Sequence, residues 1–165
     1  MVERSEPQFE LPERAMLEAW LDYHRATLEW KCEGLSAEQL RERSVPPSSM
    51  SLLGLVRHMA DVERNWFRRC LARQDAPGIF WTTDNPDADF DNVDDASVEE
   101  AFNALRNEID FARQVAAGMQ LDDTGIRRGE IVSLRWVYAH MIEEYARHNG
   151  HADLLRERID GATGD

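Results

Sequence analysis

The segment Ser133-Leu-Arg-Trp-Val-Tyr-Ala-His140-Met-Ile-Glu-Glu144-Tyr-Ala-Arg-His148-Asn-Gly-His151-Ala-Asp-Leu-Leu-Arg-Glu-Arg-Ile159-Asp-Gly161 decides how the chain folds. Its apolar residues Leu134, Val137, Met141, Tyr145, Ala152, Leu155 and Ile159 recur at three and four positions, the spacing of one face of an α-helix. The spacing predicts a long helix from about Ser133 to Ile159, ended by Gly161. Projected at about 100° per residue, His140, Glu144, His148 and His151 fall within a sector about 80° wide. His148 lies near the middle of the apolar stripe, Glu144 about 40° to its side, and His140 and His151 at its edge. A buried imidazole with a carboxylate one turn earlier needs partners, because each costs free energy when buried alone. The Glu144–His148 pair points two metal ligands the same way. The same spacing also suits two groups that bond each other or an arginine on a neighbouring helix.

Three more helical patterns lie upstream. From Leu11 to Gly34, Met16, Leu17, Trp20, Leu21, His24, Thr27, Leu28 and Cys32 form a stripe. Ser36 to Glu42 reads as a short capped turn, and Ser44-Val-Pro-Pro-Ser-Ser as a rigid loop that its prolines keep out of a helix. A second long helix runs from about Ser51 to Ala72 through Leu52, Leu55, Val56, Met59, Val62, Trp66 and Phe67. Ser97-Val-Glu-Glu opens a third, to about Gly118, as a capping box would. Between these two lies a long acidic connection, Arg73 to Ala96, expected to be functional or a mobile lid, with Phe80-Trp81 packing back on the body. Leu121 to Gly129 reads as a polar loop, and no sheet of consequence is expected. Four long amphipathic helices with one long crossover describe an all-α four-helix bundle.

The chain has 165 residues, the size of one domain. The reading divides it into an N-terminal arm at 1–10, a single domain at 11–161 and a tail at 162–165. Its 32 acidic and 19 basic residues give a charge of −13, which argues against general affinity for nucleic acid or an anionic membrane. Met1 to Glu13 lacks the apolar core of a secretory signal, and no run is long enough to span a bilayer. Cys32 and Cys70 are too few for a disulfide framework and are expected to be reduced, in or near the core. These features together predict a cytoplasmic protein. Trp20, Trp30 and Trp66 are expected in the core, with an interface in a homodimer as the other use for them.

Outside the last helix, His58 projects about 120° from the centre of its helix's stripe, where a histidine is partly exposed. Glu63 projects near the centre of that stripe, where it either pairs with an arginine or orients a ligand. His24 is expected as a core histidine. No phosphate-binding loop, dinucleotide fingerprint or nucleophile elbow is present.

The runs Gly34-Leu-Ser-Ala-Glu-Gln-Leu40 and Val45-Pro-Pro-Ser-Ser-Met-Ser-Leu-Leu-Gly-Leu-Val-Arg-His58, with the ending Met141 to Arg156, resemble the DinB superfamily over about residues 11–161. Within it they are similar to an actinobacterial branch of small DinB-like proteins. The resemblance implies an up-down-down-up four-helix bundle holding a divalent metal between its second and fourth helices. Members typically supply one His from the second helix and a His-x-x-x-His pair from the last. Here those positions fall on His58, Glu144 and His148. Glu144 in place of His resembles the subset similar to mycothiol-dependent maleylpyruvate isomerase, whose zinc has two His and one Glu. His151 falls where many members carry Gln, which implies a group that supports the ligands or an alternative ligand. The separate C-terminal domain of that isomerase is expected to have no counterpart here, which bears on the isomerase activity itself.

On that basis the expected cofactor is a divalent ion: zinc first, with nickel, iron and manganese as the other candidates. The expected function is thiol S-transfer, of the mycothiol type, onto a small electrophile. His151 or Glu63 would manage the proton, and the partners would be a thiol and a small-molecule electrophile. Metal-assisted hydrolysis with the same ligands and a non-enzymatic, stress-related ligand-binding or dimerising bundle are the alternatives.

Overall fold

Ser36, Ser51, Ser97 and Ser133 each accept a hydrogen bond from the backbone N–H three residues on, and each sets the start of a helix. The computed structural model, which describes residues 4–164, is mostly helical. Its elements are α1 (Glu13–Cys32), α2 (Ala37–Arg41), α3 (Leu52–Glu63), α4 (Ala88–Asp91), α5 (Val98–Ala117), β1 (Thr124–Arg127), β2 (Glu130–Ser133) and α6 (Leu134–Asp160). α3 runs on directly into a π-helical segment, Arg64–Leu71. Gly161 ends α6 in the left-handed region, φ 79°, which costs a residue without Cβ nothing.

The apolar stripes set the packing. α1 lies against α6, α3 against α5, and α3 also meets α6. Leu21, Leu28, Leu55, Met59, Leu105, Met141 and Tyr145 are completely buried between them. Each such apolar side chain contributes roughly 1.5–3 kcal/mol relative to an exposed one. One ionic group crosses this core. Arg25 of α1 donates from Nε and Nη2 to the two carboxylate oxygens of Glu63, at 2.7 and 2.8 Å, and the Tyr145 hydroxyl donates to the same carboxylate at 2.8 Å. Cys32 and Cys70 are free and buried.

Several sequence expectations need correction. The stretch read as a polar loop, Leu121 to Gly129, holds β1 and the turn of an antiparallel hairpin, Arg128 and Gly129 at φ 52° and 87°, and the second strand, β2, fills the residues between that stretch and α6. Two consecutive positive-φ residues make the tight turn whose twist matches two antiparallel strands. The second long helix is not α-helical throughout, because its C-terminal third is π-helical. The acidic connection is tied down by side chains of α3. Both Asp61 oxygens accept backbone N–H groups of Ile79 and Phe80, and Arg57 donates to the carbonyls of Ala88 and Asn92. Phe80 packs against Arg57 and the core, as expected. Trp66 is buried, whereas Trp20 is 38% exposed and is not a core residue. Of the expected arm, residues 1–3 lie outside the described residues, and Arg4 stacks over the Trp30 ring at 4.3 Å. Residue 165 of the expected tail also lies outside them. Among the described residues no helix is long and apolar enough to cross a membrane.

Candidate metal centre

Gly54 of α3 lets α4 come close: a Cβ there would meet the Phe90 ring at 3.0 Å. That approach, fixed by Arg57, brings Asp89 beside His58. His58 Nδ1 lies 2.7 Å from Asp89 Oδ2, and Asp89 Oδ1 accepts the Phe90 N–H. Asp89 is buried and His58 is partly exposed, so the carboxylate orients the ring and leaves Nε2 as its free nitrogen. The outward angle of His58 on α3 therefore aims it at α4 and α6. Its ring centroid is 4.8 Å from that of His148.

On α6, Glu144 and His148 project from successive turns. Glu144 Oε2 is 3.6 Å from His148 Nε2, and Glu144 Oε1 is 3.2 Å from His140 Nε2. The neighbouring His148 imidazole, with the charges of His140 and Arg147, holds the Glu144 carboxyl below the usual range although burial opposes it. One ligand atom each from His58, Glu144 and His148 lies within 4.8 Å of the others. Two imidazoles and a carboxylate, one imidazole already oriented by a second carboxylate, form a donor set that fits a zinc-type divalent ion.

The other expected residues separate clearly. His151 is beside the cluster, its Nδ1 3.4 Å from His148 Nδ1. Burial lowers its pKa, as do the charges of His148 and Arg147, so the ring is neutral at neutral pH. Glu63 is not brought to this cluster. It is fully buried and its oxygens accept from Arg25 and Tyr145, the arginine pairing that its place on the stripe allowed. His140 is packed between the Trp66 and Trp136 rings, at 4.6 and 4.8 Å. It also forms a second grouping with Glu143 and Glu144. His24 is half-buried beside Asn149. Asp89 is the functional candidate that sequence reading passed over, since one acid among many in a loop carries no periodic signal.

His58 also forms part of the wall of a cavity of about 610 Å³. Trp81, Pro86 and Asp89 of the acidic connection line one side, and Ile126, Arg127 and Arg128 of the hairpin line another. The site thus has three converging donors and, beside one of them, His58, a space large enough for a small molecule.

A family model described as Mycothiol-S-transferase matches residues 16–161, which include His58, Asp89, Glu144, His148 and His151. No curated protein matches the chain.

Proposed function

The chain belongs to the mycothiol-S-transferase family, a DinB-like family, and we propose that it is a metal-dependent transferase that joins a low-molecular-weight thiol of the mycothiol type to a small electrophile. In this reading α1, α3, α5 and α6 form the up-down-down-up bundle, a layout supported by the pairing of α1 with α6 and of α3 with α5. His58, Glu144 and His148 would hold a divalent ion, with zinc the first candidate for this donor set. When bound, such an ion supplies a position at which a thiol loses its proton near neutral pH.

The chain's own residues do the rest. Asp89 keeps His58 in the tautomer with Nε2 free. His151, neutral and one turn from His148, offers Nε2 to take a proton released beside it. Trp81 and Pro86 give the cavity an apolar side that shields the electrophile from water. The single observation that carries the reading is the convergence of three protein donors, one of which, His58, lines an open cavity. The test is turnover by protein purified without a histidine tag, loaded with zinc and supplied with mycothiol and an enone or epoxide. Product formation should need both metal and thiol and should vanish in His148→Ala. Turnover that proceeds equally well without thiol would instead identify a hydrolase.

A further inference from the structure

The cavity beside His58 contains a charge arrangement that the metal centre does not explain. The chain has 32 acidic against 19 basic residues, and many of its arginines sit on carboxylates. Arg64 and Arg68 share Glu108, Arg106 holds Glu29, and Arg156 holds Asp160. Arg69, Arg127 and Arg128 depart from this pattern. All three line the cavity, and among the described residues none has a carboxylate within ion-pair distance. The acids in the same wall are already engaged: Asp61 by two backbone N–H groups, and Asp89 by His58 and the Phe90 N–H.

The backbone that bears these arginines is held in place, and so is the Arg127 side chain. Gly125 presses β1 onto the π-helical segment so closely that a Cβ there would overlap the Cys70 carbonyl group. That contact fixes the hairpin bearing Arg127 and Arg128 against the segment bearing Arg69. Arg127 donates to Asn65 Oδ1 at 2.8 Å, and its guanidinium lies 4.7 Å from the Trp66 ring centroid. Both partners are neutral, so they orient the group without neutralising it. Partial burial and the like charges of Arg128 and Arg69 disfavour its charged form. An anion entering the cavity would relieve that repulsion.

We propose that Arg69, Arg127 and Arg128 form an anion subsite, and that the electrophile taken by this protein carries a carboxylate or a comparable anionic group. This rests on the transferase reading for the word electrophile; the subsite itself stands on the cavity alone. A planar guanidinium fork matches a carboxylate bidentately, so the subsite selects anionic over neutral reactants of the same shape and turns the reactive end of the molecule towards His58.

The probes are monomethyl succinate, which is anionic and unreactive, and its neutral diester. Binding is read from tryptophan fluorescence, since Trp81 and Trp66 lie at the cavity and under Arg127. Saturable quenching by the monoester but not the diester is expected. It should weaken by roughly tenfold or more in Arg127→Gln and in Arg128→Gln, the second being an exposed turn position whose loss leaves the fold intact. Equal response to both probes, or unchanged affinity in both variants, overturns the subsite whether or not the protein is a transferase. Conversely, selective binding without any thiol-dependent turnover would leave the subsite standing and remove the transferase reading. In turnover assays the monoester should compete with the electrophile; competition with the thiol would overturn the assignment of the anion to the electrophile.

Discussion

His58 and Glu63 belong to the same helix and show how far single residues can be read. Both angles on the stripe were informative: Glu63 is completely buried, and the His58 side chain is 27% exposed. Their partners were not legible, because Arg25 and Asp89 reach them across the tertiary fold. The two acids therefore predict opposite outcomes. Asp89→Asn should weaken metal binding by roughly 10–100-fold, since the carboxylate that orients His58 is lost. Glu63→Ala should leave the metal affinity of the folded protein unchanged. It should lower unfolding free energy by about 3–5 kcal/mol, because buried Arg25 loses the carboxylate on its Nε and Nη2 and keeps only the half-exposed Asp22 at Nη1. Isothermal titration with zinc and urea unfolding read the two effects. An Asp89→Asn protein with undiminished zinc affinity, or a Glu63→Ala protein that unfolds like the parent, would contradict these roles.

At the scale of elements, the long helices and their serine caps were written in the sequence, because apolar periodicity and capping are local. The hairpin was not. Its strands have only four residues each, too short for alternation to stand out, and its turn is Arg-Gly. The Arg128-Gly129 pair between Ile126 and Ile131 was the available signal. The acidic connection looked like a lid because its ties, Arg57, His58 and Asp61, all lie on another element. The hairpin's position depends on Gly125. Gly125→Ala should force β1 off the Cys70 backbone and destabilise the protein by about 1–3 kcal/mol, as overpacking does. Hydrogen exchange at β1 and β2 should then accelerate while α1 and α6 keep their protection. Uniform protection across the variant would show that the close approach is not structural.

For the whole molecule, the family membership over residues 16–161 agrees with the superfamily resemblance carried by the His58 run and the Glu144–His148 ending. Stability should depend on pH in a definite direction. Burial lowers the pKa of both His24 and His151 from the usual 6.5. Below that value the unfolded chain binds protons that the folded chain does not, so stability rises with pH across this window. The metal-free protein should lose melting temperature as pH drops from about 7.5 to about 5.5. A flat profile would mean that neither ring is held neutral by the fold.

The central claim, that His58, Glu144 and His148 share one ion, is tested most directly by zinc titration of metal-free, untagged protein. Saturation at one ion per chain, release of protons on binding, and loss of that event in His148→Ala with helicity retained are expected. Absence of saturable binding in the parent, or equal binding in the folded His148→Ala variant, would contradict it.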